Sequence, residues 1–482
     1  MPLRILALVT SGVLFYFGTG LAPNPALTWI APLPVLLLAP RAGAGTTFAV
    51  AFLAYLLGLT NQLNFFLHTP SVPLPIGIAI LAGSSVVFGQ MVLLFRALGR
   101  RGSLLLATFV PPAVWVAAGY LTVLTNPTGI IWPFATSVAD VPVVTQIASV
   151  TGAWGVEYLV LLVPTALSAV LWPGPGTRAR LHTGAAALAA CALTLGFGVW
   201  RLGTAGGAAE QRVAVMSAGR YQWAPDAASP GGQALVRDYA RQIFTLPAAT
   251  RTVVLPEGAF GTDEASLPGV IAPLREAARE RGVDVVIGVV HTTPKIKYNY
   301  SVNIPADGSE PDLYAKWHFA PGAPFHRGDR LVFATPQIGL ANCMDLNFPS
   351  PARDYARAGA SLLAVPAADE FGNGWQHSRM GLLRGVESGV SVAWAAQWGT
   401  PMISDPWGRV LAETDTETAR EPFVVAAAGV PAGPGATVYA RFGDWFAWLC
   451  LALVAGGLIA VRPVRRVTAR PDVEPAVSAL LL

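Results

Sequence analysis

Three residues of reactive type, Glu257, Lys316 and Cys343, each lie beside a short apolar run that predicts a β-strand. Cys343 follows the run at residues 335–341 and precedes a predicted helix at residues 351–358. A strand-to-helix turn presents a side chain to a cleft, and a helix N-terminus favours a thiolate there. A nucleophilic thiol, a carboxylate base and a cation that stabilises an oxyanion are the parts of an acyl-transfer site.

The composition of the chain makes two of these residues unusual. The other two of the three cysteines, Cys191 and Cys450, lie inside long apolar runs, so Cys343 is the only cysteine in the polar part of the protein. The chain has three lysines against 29 arginines, and Lys316 is the one in an apolar setting. Taken singly, each residue has an ordinary interpretation without a catalytic role: Cys343 as a buried structural cysteine, Glu257 as a solvated glutamate and Lys316 as a surface lysine. The three residues in this order, each beside a strand-like run, are a more specific sign of a catalytic site than any one of them.

In this order the three residues resemble the Glu-Lys-Cys triad of the nitrilase, or carbon–nitrogen hydrolase, superfamily. Nearly the whole chain also resembles the apolipoprotein N-acyltransferase family. Four further segments carry that resemblance: Gln222-Trp223, Tyr298-Asn299, Asp405-Pro-Trp-Gly-Arg409 and Arg441-Phe-Gly-Asp-Trp445.

The overall composition is that of an integral membrane protein. The chain of 482 residues is 53% hydrophobic and only 12% charged, about half the usual charged share. Apolar stretches predict seven N-terminal spans and one C-terminal span. They are residues 3–21, 26–38, 46–67, 74–98, 103–124, 155–172, 184–200 and 443–461. The first stretch is interpreted as a retained helix rather than a signal peptide, because more spans follow it and no clean cleavage site does.

Arginines in the loops predict the orientation of these spans. With a cytoplasmic N-terminus, the inside loops hold Arg41, the Arg96–Arg101 group and the Arg178–Arg180 group, and the tail holds Arg462 to Arg470. The outside loops at residues 68–73 and 125–154 hold no lysine or arginine. The positive-inside rule therefore places the polar domain outside the cytoplasmic membrane. The predicted domains are residues 1–205, 209–430, 440–463 and a cytoplasmic tail at 464–482.

The polar region alternates short strands and helices, which predicts an α/β layered domain. Predicted strands are residues 212–216, 252–255, 284–290, 301–304, 361–365, 391–395 and 401–404. Predicted helices are residues 267–281 and 376–388, and residues 429–435 predict a linker back to the membrane. The outer loop at residues 126–154 contains Trp132 and Phe134, which suit a membrane interface. It could seat a lipid substrate or serve only as an anchor.

The resemblance implies a four-layer α-β-β-α sandwich on a membrane bundle. It also implies transfer of an acyl chain from a phospholipid to the α-amino group of a diacylglyceryl-modified N-terminal cysteine of an apolipoprotein. Cys343 would hold the acyl group, Glu257 would be the base and Lys316 would stabilise the oxyanion. Trp223, Asn299, Met344 and Asp345 are the expected supporting residues. No cofactor and no metal are expected, and the absence of a basic stripe with aromatics gives nucleic acid no support.

The chain departs from the family in the loop after the lysine. Family members usually carry a glutamate there, whereas residues 319–325 contain no acid. Asp329, Asp369 and Glu370 are the possible replacements, and the sequence does not choose among them. The interval from Lys316 to Cys343 also looks shorter than usual. Two other functions therefore stay open: a membrane-anchored amidase or acyltransferase with another substrate, and a non-catalytic membrane scaffold that retains the fold.

Overall fold

The computed structural model describes residues 2–69, 72–129, 133–206, 209–219, 222–370 and 372–461. In these residues a helical N-terminal region leads into an α/β region and then into a last apolar helix. The predicted tail at 464–482, with its arginines, and residues 130–132 of the predicted outer loop lie outside the described residues.

The N-terminal region is made of helices of very different lengths. They are α1 (Pro2–Gly18), α2 (Pro25–Ile30), α3 (Leu33–Leu38), α4 (Ala44–Leu59), α5 (Leu63–His68), α6 (Leu74–Arg100), α7 (Leu104–Val123), α8 (Pro133–Ser137), α9 (Pro142–Thr145), α10 (Ala148–Thr151), α11 (Ala153–Val170) and α12 (Thr177–Gly203). In the described residues, five helical stretches are long and apolar enough to cross a membrane. They are Ala44–His68, Leu74–Arg100, Leu104–Val123, Ala153–Val170 and Thr177–Gly203.

The other three predicted spans correspond to shorter apolar helices, Pro2–Gly18, Pro25–Arg41 and Trp445–Ala460. The predicted span at residues 26–38 is interrupted between Ile30 and Leu33. Pro32 and Pro34 explain the interruption, because a proline has no backbone N–H to continue the helical hydrogen bonds. The structure therefore gives five candidate spans where the sequence predicts eight.

The polar region folds into two β-sheets between helices. Its strands are β1 (Ala209–Ala218), β2 (Thr250–Val254), β3 (Phe260–Thr262), β4 (Asp284–Thr292), β5 (Lys297–Ile304), β6 (Asp312–Ala315), β7 (Phe333–Thr335), β8 (Ile338–Leu340), β9 (Leu362–Ala368), β10 (Ser391–Gln397), β11 (Met402–Ser404), β12 (Val410–Glu413) and β13 (Phe423–Pro431). Its helices are α13 (Pro230–Ile243), α14 (Leu267–Arg281), α15 (Ala352–Arg357) and α16 (Gly374–Ser388), followed by α17 (Val438–Phe442) and α18 (Trp445–Ala460).

The first sheet has the strand order β13-β1-β2-β4-β5-β6, with β3 beside β4, and the second has β12-β11-β10-β9-β8-β7. Alternate residues of β1 face opposite ways, as a pleated strand requires. Val213 and Val215 pack with residues of the second sheet, including Leu340 and Leu362. Ala214 and Met216 pack with α13 and α14 on the other side. The α/β region is therefore a layered sandwich of two sheets, as predicted.

The helix α16 joins the sandwich to the N-terminal region. Its apolar residues belong to the same buried cluster as the N-terminal helices. Arg379 of α16 pairs with Asp140 at 2.6 Å, and Glu387 accepts the backbone N–H of Ala153 at 2.6 Å. Cys343, described below, follows β8 of the sheet that this helix covers.

Two predictions about the connections are wrong. The predicted linker at residues 429–435 begins inside β13, which runs to Pro431 and pairs with β1. Phe134 does not face a membrane surface, because it is fully buried against Phe15, Tyr55 and Trp115. Its backbone N–H donates to the buried carboxylate of Glu157 at 2.9 Å. Apolar aromatic side chains suit both locations, so the sequence alone did not distinguish them.

Candidate active site

The predicted reactive residues follow strands that end at one edge of the sandwich. Glu257 follows β2, and Lys316 follows β6 directly. Strand β6 points the same way as β4, because each is antiparallel to β5, and β4 is parallel to β2. In the second sheet, β8 and β9 are parallel. The backbone N–H of Glu257 donates to the carbonyl of Ala367 at 3.1 Å, which joins the strand ends of the two sheets.

Cys343 lies at the start of a 3-10 helix, Cys343–Asn347, just after β8. Its φ is +42°, in the left-handed region that non-glycine residues rarely adopt. The thiol donates to the carbonyl of Ala368 with Sγ and O 3.4 Å apart, and the side chain is buried. The surrounding structure therefore holds this residue in a tight turn between a strand and a helix, as the sequence predicted.

Glu257 sits in a turn that two glycines make possible. Gly258 has φ +59°, and a Cβ there would come within 2.6 Å of the ring of Trp223. A Cβ on Gly288 would come within 2.4 Å of the Glu257 Cα. Trp223, predicted as a supporting residue, therefore lies against the turn that carries the carboxylate, and its side chain is 40% exposed.

The carboxylate of Glu257 contacts two nitrogen donors. Lys316 Nζ and Asn299 Nδ2 each lie 2.6 Å from Glu257 Oε1. Asn342, which precedes the nucleophile candidate, donates from Nδ2 to Asn299 Oδ1 and to Ser301 Oγ, each at 3.2 Å. This network connects the predicted supporting residue Asn299 with both the carboxylate and the Cys343 turn. Ser301 and Asn342 were not singled out from the sequence.

Lys316 is 6% exposed and stays charged in this setting. Burial lowers its pKa, but the negative charge of Glu257 and, after it, that of Asp345 raise it, so the pKa of Lys316 lies above its ordinary value. A lysine held in its cationic form beside the thiol is suited to stabilise an oxyanion.

The expectation that the turn favours a thiolate at Cys343, and so lowers its pKa, is wrong. Burial raises the pKa of Cys343 well above its ordinary value, and the charge of Glu257 raises it further. Lys316 lowers the pKa of Cys343 but does not reverse these effects. The resting side chain is therefore a neutral thiol, which needs a base to remove its proton when it reacts.

Asp345 connects the segment that carries Lys316 to the turn that carries Cys343. It is fully buried. Its Oδ1 accepts the backbone N–H groups of Trp317 at 3.1 Å and His318 at 3.0 Å, and its Oδ2 accepts the backbone N–H of Asn342 at 3.1 Å. Met344, the other predicted supporting residue of this turn, is half-buried.

The three possible replacement acids occupy different environments. Asp329 is exposed and Glu370 is half-buried, whereas Asp369 is fully enclosed after β9. Burial raises the pKa of Asp369, and the hydrogen bond and charge of His377 lower it in part. Of the three, the structure brings only Asp369 close to Cys343.

His377 of α16 is the main site residue that sequence reasoning missed. Donor atoms of Cys343, Asp369 and His377 all lie within 4.8 Å of one another, and these residue types can bind a transition metal. The imidazole is already engaged, because Nδ1 lies 2.6 Å from Asp369 Oδ1 and Nε2 lies 3.0 Å from Asn347 Oδ1. A metal ion would have to displace one of these hydrogen bonds. The only sign of His377 in the sequence was its place on the polar side of a predicted helix, and the sequence did not show which sheet that helix covers.

Comparison with known proteins gives two family matches along the chain. The model of the apolipoprotein N-acyltransferase N-terminal domain matches residues 11–166, and that of the carbon-nitrogen hydrolases matches residues 212–428. The apolipoprotein N-acyltransferase of Geobacter metallireducens is 26% identical, over 93% of each chain. That of Gloeobacter violaceus is 28% identical over 65% of this chain and 64% of its own length.

Amidases match a smaller share of the chain. The omega-amidase of Homo sapiens is 30% identical over 30% of this chain and 62% of its own length. An amidase structure from Nesterenkonia covers 50% of this chain and 99% of its own, with 20% identity and a TM-score of 0.41.

Proposed function

We propose that this chain, which belongs to the apolipoprotein N-acyltransferases of the carbon–nitrogen hydrolase superfamily, forms a thioester at Cys343 and passes the acyl group to an amine. The donor would be a phospholipid ester. The acceptor would be the α-amino group of the diacylglyceryl-modified N-terminal cysteine of an apolipoprotein. The observation that carries the proposal is the contact of Lys316 Nζ with Glu257 Oε1 at 2.6 Å, together with the influence of both charges on the pKa of the Cys343 thiol.

In the first half-reaction, Cys343 Sγ attacks the ester carbonyl while Glu257 accepts the thiol proton. The raised pKa of the thiol makes this proton transfer necessary. Lys316 stabilises the negative charge on the carbonyl oxygen of the tetrahedral intermediate. The carbon–oxygen bond then breaks, Glu257 returns its proton to the departing lysophospholipid oxygen, and the acyl group remains on sulfur.

In the second half-reaction, the neutral α-amine attacks the thioester carbonyl. Glu257 accepts a proton from the amine nitrogen, and Lys316 again stabilises the oxyanion. The carbon–sulfur bond breaks, Glu257 gives its proton to the sulfur, and the product is an amide. The cycle needs no cofactor, because every proton passes through Glu257 and the energy of the ester is kept in the thioester.

The proposal extends to an eight-span topology in a bacterial cytoplasmic membrane, with both termini inside and the sandwich on the outer face. The five long apolar helices and three shorter ones support it. The arginines of the predicted inside loops support the orientation. Such an arrangement suits substrates that are both anchored in the bilayer.

The test separates acyl transfer from hydrolysis. The purified full-length protein is incubated with phospholipid alone, the acyl-enzyme is detected by mass on Cys343, and a diacylglyceryl-cysteine peptide is then added. We expect the acyl group to move to the peptide amine, and Cys343→Ala to give neither thioester nor product. A thioester released only by water would favour an amidase or hydrolase. Absence of any thioester, with Cys343→Ala still supporting cell-envelope function, would favour the non-catalytic scaffold.

A further inference from the structure

A buried acid–imidazole pair lies beside the proposed nucleophile. Asp369 directly follows β9, and His377 lies in the first turn of α16. Asp369 Oδ1 and His377 Nδ1 are 2.6 Å apart. Asp369 is 3% exposed and His377 is 7% exposed. The mechanism above assigns neither residue a role. A carboxylate this deeply buried requires a partner that offsets its charge.

The hydrogen-bond partners of Asp369 and His377 determine how many protons the two side chains hold. Asn347 Nδ2 donates to the carbonyl of Thr128 at 3.0 Å. Because a carbonyl only accepts, the other amide atom, Oδ1, must face His377, and it lies 3.0 Å from Nε2. His377 Nε2 therefore carries a hydrogen. Its Nδ1 then shares a second proton with Asp369, so the pair as a whole is neutral.

Among the described residues, the other charged groups near the thiol lie outside β9 and α16. Glu257 follows β2, Lys316 follows β6, and Asp345 lies in the same turn as Cys343 and accepts the backbone N–H of His318. Glu257 and Lys316 form their own ion pair. The group that offsets the burial of Asp369 most is His377, whose ring packs edge-on against Trp394.

We propose that His377 is a positioning residue that neutralises Asp369 beside Cys343, so that the sulfur can become an anion without facing an uncompensated buried carboxylate. This inference rests on the proposed role of Cys343 as the nucleophile. It also connects the N-terminal region to the site. The carbonyl of Thr128, in that region, orients Asn347, which keeps the hydrogen on His377 Nε2.

His377→Gln isolates the charge, because glutamine can still donate to Asp369 but cannot carry the shared proton. An uncompensated carboxylate a few ångströms from a thiol raises its pKa by about one unit or more. We therefore expect iodoacetamide to alkylate Cys343 in the full-length variant about tenfold more slowly at pH 8, since the thiolate fraction falls tenfold per unit. The rate is followed by mass of the Cys343 peptide.

The double variant His377→Gln, Asp369→Asn supplies the decisive control. With no carboxylate left to neutralise, we expect its alkylation rate to return to within about twofold of wild type. A merely structural role for His377 would leave the double variant as slow as the single variant, and that result would overturn the inference. So would a single variant that alkylates at the wild-type rate.

Asp369→Asn alone gives a second measurement if His377→Gln does not fold, as judged by its thermal unfolding. We expect alkylation at least as fast as in wild type, and a rate about tenfold slower in the folded variant would contradict the inference. Alkylation needs no phospholipid. A protein that shows the alkylation pattern but forms no thioester would refute the proposed function and leave the positioning role of His377 standing.

Discussion

The hydroxyl of Tyr314 donates to Oδ2 of Asp345 at 2.7 Å, with both side chains fully buried. Tyr314 lies two residues before Lys316, and Asp345 lies two residues after Cys343. One hydrogen bond therefore fixes the strand that carries the proposed oxyanion stabiliser against the turn that carries the proposed nucleophile. Asp345 also accepts the backbone N–H groups of Trp317, His318 and Asn342. These hydrogen bonds hold the Lys316 segment and the Cys343 turn in a fixed relative position.

Replacing Asp345 with alanine should destabilise the sandwich. The change leaves buried donors without acceptors, and each such donor costs about 1–3 kcal/mol. We expect the free energy of unfolding to fall by at least about 3 kcal/mol, seen as a lower midpoint in denaturant unfolding of the detergent-solubilised protein. Asp354→Ala, on the surface-facing side of α15, is the matched control and should change it by less than about 0.5 kcal/mol. Equal effects of the two changes would contradict the role of Asp345.

Lys316→Met should preserve the fold and remove transition-state stabilisation. Methionine has a similar length and is apolar, but it offers no charge to the oxyanion. We expect the rate of thioester formation with phospholipid to fall on the order of 10²–10³-fold. Single-turnover acylation measured by mass tests this, with Lys295→Met, an exposed lysine, as the control. A loss confined to substrate affinity, at an unchanged acylation rate, would rule out the oxyanion role.

The pH dependence of the thiol should follow its environment. Because burial and Glu257 raise the pKa of Cys343, its alkylation should be slow at neutral pH and should rise with pH through a midpoint above the ordinary thiol value of about 8.5. Glu257→Gln removes a charge that opposes the thiolate, so the midpoint should move down. Lys316→Met removes a positive charge that favours the thiolate, so the midpoint of alkylation should move up. A wild-type midpoint below 8 would restore the low-pKa prediction from the sequence.

The topology can be tested with reporter fusions at two glycines. Gly102 lies between α6 and α7, and Gly206 follows α12. In the eight-span arrangement, Gly102 is cytoplasmic and Gly206 is outside, so a phosphatase reporter should be active only at Gly206 and a cytoplasmic reporter only at Gly102. The same compartment for both positions would contradict the proposed orientation.

The sequence alone determined the features that depend on local order. Helix α14 has the predicted bounds, because Pro268 suits a helix start and Gly282 ends it with φ +63°. Glu257, Lys316 and Cys343 could be chosen because each lies shortly after a predicted strand. Their order along the chain carried the resemblance to the Glu-Lys-Cys triad, and that resemblance implied a single site, although Cys343 follows a strand of the second sheet and the other two residues follow strands of the first.

Only the tertiary structure decided the protonation of the Cys343 thiol and which residues surround it. The pKa of Cys343 depends on the exclusion of water and on the charges of Glu257 and Lys316, which are distant in sequence. The pairing of Asp369 with His377 requires α16 to cover the second sheet. The burial of Phe134 similarly requires the N-terminal helices to enclose it. Burial and charge pairing are properties of the packed molecule, because solvent is excluded by residues that the local sequence does not specify.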